Sequence, residues 1–467
     1  MDHALLIDGE RVETGAWTEV RSPFSGDLVG RVAKGGAAEA RRALDAAGRV
    51  LASPLPAHER ARILDATARL LEERQDEAAG IISAEAGKPM KAARVEAQRA
   101  ISTYTFAAVE ARKLTGEVVP MDASPAGDGK LALTLRLPIG IVGAISPFNF
   151  PLNLVAHKIA PALAAGCPVV LKPASATPLS ALFLAGLEEE AGLPAGWLNV
   201  VAGSASEIGD ALVEDDRVKL ITFTGSGDVG WGLAERAHRK RVKLELGNAT
   251  PAIVCADAPA GTAAKLAANA FSYAGQSCIS VQRIFVLADA WDAFVAELVP
   301  KVEALVVGDP GEEQTDVGPL ISDSDRDRVL EWVRESRGEV LTGGDTNEAG
   351  LVRPTVIANP APQDKVQCEE VFGPVVTLTR VDTLGEAIEQ ANATRYGLQA
   401  AVFSADVATC LEAARRLEFG GVTVNEAPTF RADQMPYGGV KASGNTKEGP
   451  AWSVREMTEE RLVVLQL

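Results

Sequence analysis

The feature that most constrains this chain is a series of short apolar segments between Ile141 and Gly247, each separated from the next by a helical stretch. They run over residues 141–146 (IVGAIS), 168–172 (PVVLK), 198–203 (LNVVAG), 219–225 (KLITFTG) and 242–247 (VKLELG). Buried strands alternating with helices build a parallel, doubly wound α/β sheet. Ligands of such sheets bind at the carboxyl ends of the strands, where Lys172, Gly203, Gly225 and Ser226 cluster. Two helix starts are marked. Thr177-Pro178 reads as an N-cap with a first-turn proline, and Ser204 with Glu207 reads as a capping box.

A second α/β pattern begins near Thr250. It comprises apolar strands at PAIVCA, 283–288, 375–381, 400–404 and 420–425, with helices at 290–305, 322–336 and 384–394. Upstream, His58 to Ala86 reads as one helix ended by Gly87 and Pro89, and Lys91 to Leu114 as another. Leu131 to Leu137 (LALTLRL) places leucine at every second position, the pattern of a half-buried strand in a projecting hairpin. The last segment, RLVVLQL (461–467), is a further apolar strand that must dock, either in its own sheet or on a partner's.

At 467 residues, two or three domains are expected. Lys and Arg number 46 against 63 acids, a net charge of −17, which argues against nucleic acid or an anionic membrane as partner. An anionic small molecule is not excluded, because one local arginine outweighs distant, screened acids. The five cysteines form no CxxC pair, and no two of the four histidines sit at ligand spacing, so no metal site is expected. The N-terminus lacks a basic segment followed by an apolar one, and no apolar run reaches 18 residues. The expected compartment is the cytoplasm.

Several short patterns carry chemistry. Gly225-Ser226-Gly227-Asp228-Val229-Gly230 satisfies GxGxxG after a strand and before a helix, with Glu245 at the distance of a ribose-binding acid. Taken alone that spells a dinucleotide fingerprint or a coincidence; either way a helix N-terminus attracts a pyrophosphate. Cys278 follows Gly275-Gln-Ser, a context of accessible backbone, whereas Cys167, Cys255 and Cys410 sit in apolar or helical settings. Cys278 is therefore the nucleophile candidate, with a turn cysteine as the plainer alternative. Asn149 lies in a turn stiffened by Pro147 and Pro151, where it is either a fixed amide donor or a turn asparagine. Glu245, alternating with leucines in VKLELGN, is a candidate base or a strand-edge acid. Glu369-Glu370-Val-Phe372 pairs a possible ligand-facing acid with an aromatic, or forms an exposed acidic turn.

Together, PFNFP, LKP, FTGS, LELG, GQSC, EEVFGP and MPYGGVKASG occur in an order that resembles the aldehyde dehydrogenase superfamily over essentially the whole chain. The resemblance implies that Cys278 is the thiolate that attacks an aldehyde, and that Asn149, with the Cys278 N–H, is the oxyanion donor. It implies that Glu245 is the base activating the hydrolytic water, not a ribose ligand, with Gly227 incidental. Lys172 would contact the ribose and adenine side of the cofactor, Gly225 and Ser226 would form the pyrophosphate turn, Glu370 would hold the nicotinamide ribose, and Phe372 would pack beside it. A base at Glu245 favours water over coenzyme A as acyl acceptor. Architecture follows by the same resemblance: a cofactor domain (1–116 and 139–246), a catalytic domain (247–433) and a β-strand oligomerisation arm (117–138 and 434–467) pairing subunits into a homodimer or homotetramer.

Two departures matter. Many NAD-preferring relatives carry an acid three places after the motif lysine; here Ser175 stands there, removing a charge that would repel a 2′-phosphate. NADP is therefore expected to be accepted beside NAD, with the preference open. Asn248 replaces a common glycine, with no chemical consequence expected. For substrate, Phe430-Arg431-Ala-Asp433-Gln-Met435-Pro resembles the segment at the substrate mouth of lactaldehyde, phosphonoacetaldehyde and non-phosphorylating glyceraldehyde-3-phosphate dehydrogenases. Arg431 either pairs with a substrate anion or pairs with Asp433 or another acid as pure structure. The expected substrate is a small polar or anionic aliphatic aldehyde. A semialdehyde dehydrogenase of amino-acid catabolism and a catalytically silent cofactor-binding relative are the alternatives.

Overall fold

The computed structural model describes residues 1–467 and contains two seven-stranded sheets and two smaller ones. In the first large sheet the parallel order is Arg241–Glu245, Val218–Thr224, Ile141–Ile145, Val169–Lys172, Leu198–Val200. An N-terminal hairpin, Leu5–Ile7 and Glu10–Val12, extends it antiparallel. Chain direction across the sheet reverses at Ile141–Ile145, so the crevice between its carboxyl end and that of Val218–Thr224 is a topological switch point. Helices cover both faces. Ala57–Glu73, Met90–Lys113 and Asn153–Ala165 pack one apolar core, and Ala37–Val50, Ala205–Glu214 and Gly227–Arg236 pack the other.

The second sheet has the order Glu339–Thr342, Thr355–Ala358, Val375–Val381, Val281–Leu287, Thr250–Val254, Gln399–Phe403, Gly421–Val424, parallel except for the first pair. It too has a core on each face. Asn248 lies in the link between the sheets. Its amide donates to Thr250 Oγ1 (2.8 Å) and the Gln399 carbonyl (3.1 Å), and its Oδ1 accepts from Leu398 N–H. A glycine there would forfeit all three, so the departure from the common residue has a structural consequence.

Local expectations needed correction in several places. The single helix over 58–86 is two, Ala57–Glu73 and Gln75–Ala86, broken where Arg74 leaves helical geometry (φ −118°, ψ 28°). Thr177 does not cap the next helix; its hydroxyl donates to the Phe148 carbonyl. The buried Glu85 carboxylate caps helix Leu179–Glu190 from outside, accepting the N–H groups of Leu179 (2.7 Å) and Ser180 (2.9 Å). Ser204 does cap helix Ala205–Glu214, but Glu207 reaches to Ala37 N–H and closes no box.

Strand Lys130–Pro138 pairs antiparallel with the C-terminal strand Thr458–Gln466 along its whole length, and Val118–Val119 flanks it. The terminal strand thus docks in its own sheet. The leucine face is not the buried one: Ala132 and Thr134 face inward, while Leu131 is 39% and Leu135 41% exposed. Residues 434–457 add no strand to this arm; Tyr437 lies in the catalytic region and Pro450–Glu456 is a helix.

Candidate active site

The chain following strand Ile141–Ile145 carries Asn149. It is buried, and its Nδ2 donates to the Gln276 carbonyl at 3.0 Å. A primary amide has two hydrogens, so one remains for another acceptor. The Asn149 backbone is gripped as well: Lys88 Nζ donates to its carbonyl at 2.7 Å, pairs with Glu96, and lies 3.7 Å from the Phe150 ring centroid and 4.5 Å from that of Tyr273.

The loop bearing Cys278 is held in an unusual backbone state. Tyr273, Ala274 and Gly275 all have positive φ (51°, 51° and 71°), which for non-glycine residues persists only where surroundings impose it. At Gly275 a Cβ would stand 2.2 Å from the Gly373 carbonyl oxygen, so glycine is required by packing too. The buried Gln276 amide pins the turn through Pro319 O and Ile321 N–H. The Cys278 N–H is engaged by no protein acceptor. Its half-buried thiol meets the Tyr437 hydroxyl at 2.9 Å and opens on a cavity of about 400 Å³, also lined by Arg99, Phe150, Phe430 and Arg431. Burial pushes the Cys278 thiol up to about 12; the Tyr437 hydrogen bond and Arg431 charge oppose this, and Glu370 and Glu245 reinforce it.

Glu245 ends strand Arg241–Glu245. It is buried with both carboxylate oxygens unpartnered, and Gly438 passes so close that a Cβ would lie 2.7 Å from Oε1. Burial, then the Glu448 charge, raise its carboxyl well above the usual range, against Arg431, Lys158 and Lys447. Glu448 itself accepts from Arg431 at 2.9 Å and lies 3.5 Å from buried Lys158, which donates to Thr224 Oγ1.

Arg431 is therefore not the free cation considered from the sequence. It is ion-paired with Glu448, contacts His157, and stacks 3.8 Å from the Tyr437 ring centroid. Asp433, the partner weighed earlier, instead accepts from Arg99, Asn153 and His157. Arg99 keeps its Nη1 uncommitted, and 19% of its side chain is exposed at the cavity.

The remaining candidates form a second group at the switch point. Lys172 ends strand Val169–Lys172, its ammonium without a hydrogen-bond partner. It lines a cleft with Ile145, Phe223, Asp228 and Val229 beside the open N-terminus of helix Gly227–Arg236. Ser226 is the cap residue of that helix, and its side chain makes no cap bond. Gly225 packs over Phe223, where a Cβ would come within 2.7 Å of the ring, whereas a Cβ at Gly227 meets nothing within 4 Å. Ser175 is exposed near the Gly203 carbonyl. Glu370 accepts the Asn248 N–H at 2.9 Å, and burial pushes its carboxyl up to about 7. Phe372, itself at φ 49°, meets Phe148 edge-to-face at 5.8 Å, joining the two motifs across the domains.

Sequence reasoning missed Lys88, Arg99, Lys158, Tyr437 and Glu448. For Lys158 a signal existed: His157-Lys158 interrupts an otherwise apolar helix, Asn153–Ala165, in which every residue is buried. Ionisable groups in such a helix must be partnered.

The chain is similar to known proteins over its whole length. A 3-sulfolactaldehyde dehydrogenase of Priestia aryabhattai is 43% identical over 100% of this chain and 98% of its own. A lactaldehyde dehydrogenase of Methanocaldococcus jannaschii is 39% identical over 99% and 100%. The crystal structure of a glyceraldehyde-3-phosphate dehydrogenase from the same organism, complexed with NADP, superimposes with a TM-score of 0.92 at 38% identity, covering 98% of this chain and 100% of that one. With the family model of the aldehyde dehydrogenases matching residues 11–463, the chain belongs to the aldehyde dehydrogenase family.

Proposed function

We propose that this enzyme oxidises a small anionic aliphatic aldehyde to its carboxylate, with NADP or NAD as hydride acceptor and water as acyl acceptor. The observation that carries the reading is the Cys278 thiol at the cavity, with the Asn149 amide fixed to the peptide of the same loop. Cys278 attacks the carbonyl carbon. Its own N–H and the spare Asn149 hydrogen are the donors for the developing oxyanion. Cys278 carries the acyl carbon throughout, as thiohemiacetal on attack and as thioester once that carbon is oxidised. Glu245 takes a proton from the water that releases the acid, a task suited to a buried carboxylate whose proton affinity is raised.

The switch-point cleft suits a dinucleotide. An unpartnered lysine, an open helix N-terminus and an apolar floor at Phe223 and Val229 match a phosphate-bearing adenosine. Lys172 would hold the ribose side, Gly225 and Ser226 the pyrophosphate and Glu370 the second ribose, with Phe372 packed beside it. The chemistry such a cofactor supplies is hydride acceptance. Ser175 leaves room and no opposing charge for a 2′-phosphate.

Three relatives act on aldehydes bearing a sulfonate, a hydroxyl or a phosphate. The three cations at this cavity all pair with buried acids, Lys88 with Glu96, Arg431 with Glu448 and Arg99 with Asp433, and Arg99 alone combines exposure with a spare donor. We assign anion recognition to Arg99 in place of Arg431. The exposed leucines of the arm support pairing with a second copy, and no helix is long and apolar enough to cross a membrane. Five unpaired cysteines suit the cytoplasm. The test follows reduced-nicotinamide absorbance with NAD and NADP over a panel of sulfonated, phosphorylated, hydroxylated and semialdehyde substrates. Cys278→Ala should abolish turnover. Retained turnover in that variant would overturn the reading, and a ranking led by semialdehydes would favour the amino-acid catabolic alternative.

A further inference from the structure

We propose that the Tyr437 hydroxyl is a catalytic hydrogen-bond donor to the Cys278 sulfur, stabilising the thiolate when it forms, and that Arg431 strengthens this donor from the face of the ring. The inference rests on Cys278 being the nucleophile. The environment of that sulfur opposes ionisation: it is half-buried, and the nearby Glu370 and Glu245 side chains disfavour further negative charge. No histidine, lysine or arginine hydrogen-bonds the sulfur; its one polar contact is the phenol at 2.9 Å. His157, the only histidine nearby, is committed to Asp433, Thr103 and Arg431.

Tyr437 is suited to donate. It is 3% exposed, its hydroxyl contacts no other protein group, and burial raises its phenol well above the usual value, so its proton stays on oxygen at working pH. A guanidinium 3.8 Å from its ring centroid draws electron density from the phenol, and in a buried site water does little to screen that interaction. Glu448 keeps the guanidinium in place. The buried Arg431–Glu448 pair thus has a use that anion binding does not require. In the step itself the S–H bond breaks, the proton leaves through the cavity mouth to solvent, and the electron pair stays on sulfur. Tyr437 keeps its own proton, now shared toward S⁻. Hydrogen bonds to charged groups are roughly twice as strong as neutral ones, so the contact favours thiolate over thiol.

The test is the rate of Cys278 alkylation by iodoacetamide against pH, read by mass spectrometry of the Cys278 peptide in the full-length enzyme. It needs neither aldehyde nor cofactor, so it can fail while the proposed activity stands, and Cys278→Ala turnover tests that activity separately. Tyr437→Phe removes one oxygen and keeps the ring under Arg431. Its alkylation profile should move up by roughly one to two pH units, slowing alkylation near pH 7 by about ten-fold or more. Replacing Tyr437 by 3,5-difluorotyrosine, a more acidic phenol of nearly the same shape, should move the profile down. A folded Tyr437→Phe enzyme with the wild-type profile overturns the proposal. Should that variant not fold, an unmoved profile in the fluorinated enzyme overturns it equally.

Discussion

The carbonyl of Glu245 accepts the peptide N–H of Gly225 at 3.2 Å, so the candidate pyrophosphate turn and the candidate base end adjacent parallel strands. This is the strand arrangement of a dinucleotide fingerprint, which is why the spacing alone suggests a ribose ligand. The position of the carboxylate favours the proposed base. It is buried under Gly438 within the field of Glu448, Arg431 and Lys158, and is absent from the cleft that Lys172 lines.

Glu245→Gln should therefore spare cofactor affinity and stop deacylation. Steady-state turnover should fall by about 10²–10⁴-fold, with a single burst of reduced cofactor as the thioester accumulates. The wild-type rate should fall as pH drops through the raised carboxyl pKa, because only the ionised form accepts a proton. Stopped-flow absorbance with a cofactor titration separates the outcomes: a large loss of cofactor binding would return Glu245 to the ribose.

Ser175 lies at the surface near the Gly203 carbonyl with no neighbouring acid bonded to it. Ser175→Glu should raise the KM for NADP at least ten-fold while leaving that for NAD within a few-fold, since a carboxylate beside a 2′-phosphate repels at short range. Equal effects on both cofactors would place the 2′-phosphate elsewhere.

The legible part of this protein was whatever local pattern dictates. Strand and helix alternation set the two sheets, and the order of short motifs set the family. Pairings made across long stretches of sequence were not legible. Glu85 capping a helix 94 residues away is one, and Arg99 taking Asp433 from Arg431, across 334 residues, is another. Nor could strand Lys130–Pro138 reveal which of its faces is covered: the leucines lie outward because smaller Ala132 and Thr134 fit against the body.

Arg99 is predicted to read the substrate anion. Arg99→Met should raise the KM for a sulfonated or phosphorylated aldehyde by about 10–100-fold. A neutral aldehyde of similar length should change little. The ratio of the two kcat/KM values is the readout, because a general distortion would lower both together.

Asp433 gathers Arg99, Asn153 and His157 onto one carboxylate oxygen. Burial alone would push its carboxyl up, but the His157 hydrogen bond and the Arg99 charge hold it well below the usual range. A depressed folded pKa contributes stability above the unfolded pKa and loses it as pH falls. Asp433→Asn should cost about 3 kcal/mol near neutrality, and the deficit should narrow below about pH 4. Denaturant titrations at several pH values check both the size and the sign.

The arm presents an apolar face that the single chain leaves open. Leu131, Leu135 and Leu465 share one face of this three-stranded sheet and are all at least 39% exposed. The outer strand Thr458–Gln466 also has one edge without a backbone partner. An exposed edge beside an apolar face is a site of aggregation unless something covers it, and a second copy of the same sheet offers both a matching face and a matching edge. Leu135→Glu with Leu465→Glu should leave the two large sheets intact, since neither residue belongs to any of their cores. The pair should convert the oligomer to monomer in light scattering. An unchanged mass would mean that subunits associate through another surface, and a monomeric wild type would mean that the arm is covered in some other way.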